Sequence, residues 1–142
     1  MISRKLILLL TLSPAFWMRA QSGPCTPHVV EQGHLEVASD AFAYMPPYGG
    51  PAVGKSEIEA ANTKSFPDET NITTIWGDDH RIAAAPSGEM AYEYGTVHIT
   101  SDSKSKGHQE FKAVVLIVYG ANGGACQKKA LTMQPIQESA KH

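Results

Sequence analysis

Residues 90–100 alternate in character. Met90, Tyr92, Tyr94, Thr96 and His98 fall on one parity, and Ala91, Glu93, Gly95, Val97 and Ile99 on the other. A period of two predicts a strand with two unlike faces. Phe111 to Tyr119 is apolar at both parities after Lys112, which predicts a strand covered on both sides, by helices on one and by a partner subunit on the other. Asn71 to Trp76 is rich in Ile, Thr and Trp and reads as a strand, as does Arg81 to Ala85. Ser87-Gly88 and the polar segment Ser101 to Gly107 read as turns, and Asn122-Gly123 is a hairpin signal ahead of a last strand from about Cys126 to Gln134.

Upstream, Pro24 to Gln32 is a Pro-interrupted lead-in, Leu35 to Ala38 a helical turn, and Ala41 to Met45 a short strand stopped by Pro46-Pro47. Ser56-Glu57-Ile58-Glu59 has the form of a capping box, so a helix is expected from about Glu57 to Ser65, burying Ile58 and Ala61 and ended by Pro67. One or two short helices followed by an antiparallel meander make an α+β protein, with the helices gathered on one face of a curved sheet.

The first 22 residues change the picture. Arg4 and Lys5 precede the apolar run Leu6 to Leu12, Ser13-Pro14 breaks it, and Ala20-Gln21-Ser22 offers a small-x-small cleavage site. That is the pattern of a secretory signal peptide, and the run is shorter than the ~20 apolar residues a bilayer requires. The expected organisation is a signal peptide over 1–22 and a single domain over 23–142, exported to a periplasmic or extracellular space. No stable membrane span would remain after cleavage. Of 12 Lys and Arg against 14 Asp and Glu, three bases lie in that leader, so the remainder is acidic and retains only one arginine, Arg81. Too few clustered bases remain to neutralise a phosphate backbone, which excludes a nucleic-acid partner.

Export also changes what the two cysteines, Cys25 and Cys126, can do. In an oxidising compartment they can form one disulfide closing most of the chain; two free buried thiols are the alternative. Their spacing excludes a metal site or a CxxC redox pair.

Asp40-Ala41-Phe42-Ala43-Tyr44-Met45-Pro46-Pro47, followed by Gly54-Lys55-Ser56-Glu57-Ile58, resembles the strand, glycine-rich loop and helix start of the nuclear transport factor 2-like superfamily. SnoaL-like and ketosteroid-isomerase-like proteins belong to it. Ser87-Gly88-Glu89-Met90-Ala91-Tyr92-Glu93-Tyr94-Gly95 is similar to a motif of a functionally unassigned branch of small stand-alone and exported members. The resemblance spans about residues 35–136. It implies a cone, in which a strongly curved, antiparallel-rich sheet wraps a few helices around a pocket, and a dimer formed through the outer face of the sheet. This chain leaves little room for the long first helix of such relatives, so that helix is expected to be truncated. It also carries Cys126 and Thr132 where the branch tends to have Trp and Asp.

An enolising site in such a cone needs a carboxylate base and a donor for the developing oxyanion. Asp40 and His98 are the weak catalytic candidates, although an Asp in that position also serves turns and caps. Tyr92, Tyr94 and His98 share one strand face: if it is concave they wall a pocket, and if convex they form an interface. With Tyr44 and Trp76 they are the candidate ligand-binding residues. Asp78-Asp79-His80 invites a metal reading, but adjacent side chains point apart, and no ligand spacing supports one. Gly49 to Ser56 matches the pattern of a phosphate-binding loop; Pro51 removes a cradle N–H, and neither a buried parallel strand nor a long α/β domain accompanies it. No cofactor is expected. The function expected is binding of a small apolar or amphipathic molecule by a homodimer. An isomerase or hydro-lyase-like enzyme, or an interaction module with a vestigial pocket, are the alternatives.

Overall fold

The computed structural model describes residues 23–46 and 49–137; the leader over 1–22 lies outside them. The elements in chain order are α1 (Pro27–Glu31), β1 (Val37–Tyr44), β2 (Ala52–Val53), α2 (Lys55–Ser65), β3 (Glu69–Trp76), β4 (Arg81–Ala84), β5 (Met90–Ser103), β6 (Gly107–Asn122) and β7 (Ala125–Pro135). They form one curved seven-stranded sheet of order β2-β1-β7-β6-β5-β3, with β4 also pairing with β5. The long antiparallel pairs β5–β6 and β6–β7 are its spine.

Four local expectations are corrected. The helix lies in the segment read as a lead-in, because Thr26 caps it by accepting from Val29 N–H at 3.3 Å and Pro27 opens it, a favoured start. Residues 35–38, expected to be a helical turn, instead lead into β1. The capping box is not used: α2 starts one residue before Ser56, its N-cap is Gly54 at φ 90°, and Glu57 reaches back to accept from Val53 N–H at 2.9 Å. The polar turn at 101–107 shrinks to residues 104–106, because Ser101, Asp102 and Ser103 pair with Gln109, His108 and Gly107.

The sheet is not purely antiparallel. β1 runs parallel to β7, pairing Ala43 with Leu131 and Tyr44 with Thr132, and the chain between them is the crossover that a parallel pair requires. The segment resembling a phosphate loop contains β2, an edge strand antiparallel to β1. Contrary to expectation a parallel strand, β1, does precede the segment, but the chain between it and α2 forms a strand and not the run of free backbone N–H groups that cradles a phosphate.

Register assigns the faces. Ala43, Leu131 and Ile117 lie in one row on the inner face, whereas Phe42, Ala130, Val118 and Tyr92 lie in a row on the outer face. On the inner side α2 lays Ile58 against Ala38, Ala41, Ala43 and Ala52; the small alanines let helix and sheet approach closely. α1 adds Val30 to a second buried cluster that includes Ala91, Val97, Ala113, Val115, Ile117 and Tyr119. Cys25 and Cys126 are joined by a disulfide within this second cluster. Strand β6, apolar at both parities, is covered on one side only among the described residues: Val115 and Tyr119 are buried, while Val114 and Leu116 are exposed.

Candidate functional site

Two features share the inner face of β5. The first is a buried polar cluster. Glu93 is 7% exposed and lies on the parity otherwise occupied by Ala91, Gly95 and Val97. Its Oε2 accepts from the Tyr119 hydroxyl at 2.6 Å and its Oε1 from His80 Nε2 at 2.8 Å. The His80 ring stacks on Trp76 with centroids 4.3 Å apart. Burial, and then the bond to Glu93, push the Tyr119 hydroxyl far above the ordinary tyrosine range, so at neutral pH it is a donor and not an anion.

Sequence locality does not explain this meeting. His80 is placed by the loop after β3, where Asp79 takes the Thr96 backbone N–H at 3.0 Å and the Thr96 hydroxyl at 2.8 Å. Those bonds, the backbone one foremost, hold the Asp79 carboxyl below the usual carboxylate range. Gly95 leaves the room: a Cβ there would stand 2.9 Å from His80 Cα. Gly95→Ala is therefore expected to push His80 off Glu93 and cost about 1–3 kcal/mol, as overpacking does. A urea melt, and the loss of the His80 ring's perturbed NMR shift over Trp76, check it. Asp79 and His80 turn to different partners, Thr96 and Glu93. Among the described residues no group of three His, Cys, Asp or Glu could hold a metal ion.

The second feature is a cavity of about 110 Å³ farther along the same face, walled by Phe66, Ile72, Ile99, Phe111 and Met133, with Glu69, Thr74 and Ser101 as its polar groups. Ile99 lies six residues beyond Glu93 on β5, roughly 20 Å at the rise of a strand. None of the residues of the Glu93 cluster lines the cavity. Tyr119 of the cluster belongs to the same buried core as Val30 and the Cys25–Cys126 bridge, whereas the cavity is an apolar recess of the inner face.

Tyr92 and Tyr94 stand on the outer face, each 43% exposed, with rings 6.0 Å apart. Tyr44 lies in the same outer row as Thr132, Leu116 and Tyr94. His98 is on that face too, paired with Glu110. Asp40 is an exposed outer residue whose Oδ1 accepts from Lys129 Nζ at 2.8 Å, and Lys129 holds its carboxyl below the usual range. Trp76 alone of these residues reaches the inner core. Glu93, Tyr119 and Glu69 were missed, and His80 was weighed only as a metal ligand. For Glu93 the partial signal was one acid among the small and apolar residues of its strand parity.

No protein-family model matches the sequence, and no curated protein matches it either. Solved structures do share the fold. A nuclear transport factor 2-like superfamily protein from Salmonella enterica superposes with a TM-score of 0.59 at 14% identity, covering 75% of each chain. A ketosteroid isomerase-like protein from Erwinia carotovora gives 0.59 at 16% identity, over 79% of this chain and 82% of its own. A hexachlorocyclohexane dehydrochlorinase from Novosphingobium barchaimii gives 0.58 at 14% identity, covering 75% of each. The chain has the nuclear transport factor 2-like cone fold.

Proposed function

We propose that this nuclear transport factor 2-like chain is an exported protein that binds a small apolar or amphipathic molecule inside its cone and works as a homodimer. The observation that carries the reading is the inner cavity, whose wall of aromatic, aliphatic and thioether side chains suits an apolar body and whose few polar groups suit one polar end. Binding is favoured over catalysis because, among the described residues, the cavity wall holds no histidine or tyrosine to pair with its single carboxyl. Some proteins of this fold are enzymes by name, but fold alone does not transfer chemistry.

The dimer rests on the outer face. Phe42, Tyr44, Tyr92, Tyr94, Val114 and Leu116 are all exposed there on neighbouring strands, and a contiguous apolar patch of that kind marks an interaction surface. Leu116 sits in the middle of a row between Thr132 and Tyr94. Leu116→Lys is expected to leave the fold intact and convert the dimer to a monomer, because it buries an unpaired ammonium at the centre of the contact. Light scattering coupled to size exclusion checks it; a variant as dimeric as the parent overturns the assignment of this face.

Native mass spectrometry of unreduced protein from an exporting host tests the whole reading. The expected result is a chain cut near residue 22, in dimers that retain a small-molecule adduct. An empty monomer overturns it.

A further inference from the structure

The cavity contains an electrostatic inconsistency that bears on the chemistry of its occupant. Glu69 opens β3, faces Ser103 across the β3–β5 ladder, and lines the cavity. Its Oε2 is buried, and no donor among the described residues reaches it. Its neighbour Asp68 shows the contrast: Oδ1 accepts from the Ser103 hydroxyl at 3.1 Å and Oδ2 from the Ser105 N–H at 3.0 Å. The same short segment therefore gives donors to both oxygens of one carboxyl and leaves an oxygen of the other buried and unpaired in a residue that lines an apolar pocket. A buried acceptor left unpaired is destabilising, more so when charged, and natural folds rarely keep one without a use.

We propose that the cavity takes an alkylammonium group, with its hydrocarbon chain between Phe66, Ile99, Phe111 and Met133 and an N–H donated to the Glu69 carboxyl group, whose unpaired oxygen turns from its buried position to accept it. This rests on the ligand-binding reading above and deepens it. Three observations converge on that class. The wall is apolar apart from Glu69, Thr74 and Ser101, so it matches a chain with one polar end. The unpaired atom is an acceptor, so the polar end must donate, and a charged donor forms the stronger bond to a carboxylate. The volume of about 110 Å³ is below the ~150 Å³ of an apolar cavity that holds benzene, which suits a chain of a few carbons or the end of a longer amine.

The test uses three probes of equal length on the full mature protein: n-butylammonium, n-butanol and butyrate. Affinities come from ligand-observed NMR titration, with Ile99 and Met133 methyl shifts locating the site. The expected order is butylammonium, butanol, butyrate, with the first at least about tenfold tighter than the second, since a charge-assisted bond exceeds a neutral one by that much. Glu69→Gln, nearly isosteric, is expected to remove this preference while leaving butanol binding within about twofold. Butanol binding as well as butylammonium in the parent protein overturns the ammonium proposal and leaves the cavity reading standing. No methyl shift with any probe overturns both. A preference that survives Glu69→Gln, with butanol binding intact, overturns the role of Glu69.

Discussion

Replacing Cys25 and Cys126 together by alanine is expected to lower stability by about 2–5 kcal/mol and the melting temperature by roughly 10–30 °C. The bridge closes a loop of 101 residues, nearly the whole domain. A cross-link of that span removes much of the conformational freedom of the unfolded chain, by about 4.7 kcal/mol in the entropic account. Both residues are buried against Val30 and Tyr119, so the bridge also fastens the strap at 23–32 over the inner face. That strap is otherwise held by backbone bonds from Gly23 and Cys25 to the Ser87-Gly88 turn. Alanine is preferred to serine because a hydroxyl buried there would add an unsatisfied group. Thermal melts by circular dichroism, with and without reductant, measure the effect. Burial predicts that dithiothreitol acts on the native protein only after denaturant opens the strap. An unchanged melting temperature in the alanine pair would mean that the bridge contributes nothing to the fold.

Glu93→Leu is expected to cost about 3–5 kcal/mol in a urea melt. It leaves the Tyr119 hydroxyl and the His80 ring without the acceptor they share, and breaking a buried polar pair on one side has that scale. Adding Tyr119→Phe should recover part of the loss, because two matched apolar groups leave nothing unpaired; a double-mutant cycle reads the coupling. If the two losses simply add, the cluster is not a unit.

The pH dependence follows from the same hydroxyl. Its folded value is raised far above the unfolded value near 10, so the native state keeps a proton that the unfolded chain releases. The stability due to this group is complete below about pH 10 and declines as pH rises beyond it. Absorbance at 295 nm during an alkaline titration should show the Tyr119 step coinciding with unfolding. The surface carboxyls act at the other end. Asp40, Asp68, Asp79 and Asp102 are all held below their ordinary range by their donors, so what they contribute is present above the unfolded aspartate value and lost as pH falls through their lower folded values.

Much of the fold was legible in the chain. The period of two along 90–100, the apolar stretch at 111–119, the Asn122-Gly123 hairpin and the Pro67 stop each bind neighbouring residues through backbone geometry, and such rules need no distant partner. The resemblance carried by residues 40–47, 54–58 and 87–95 named the cone. Where local rules failed, a competing contact had won: Glu57 capped backwards to Val53, and polar Ser101 to Ser103 stayed extended because β6 was there to pair with them.

The candidate site was legible only in part, for one physical reason. Alternation separated Tyr92, Tyr94 and His98 from Ala91, Glu93, Gly95 and Val97 with certainty, since successive strand side chains point to opposite faces. It carried no information about which face is inside. That depends on where α1 and α2 pack, on the parallel pairing of β1 with β7, and on the link from Cys25 to Cys126, all of them contacts between residues far apart in sequence. Tertiary structure put the tyrosines outside and Glu93 inside, brought His80 and Tyr119 to its two oxygens, and left Glu69 in the cavity wall with an oxygen that no described residue answers. The sequence by itself determined which residues stand together on a face; only the folded chain decided what each face meets, because that choice is set by burial of apolar surface over the whole domain and not by any stretch of backbone.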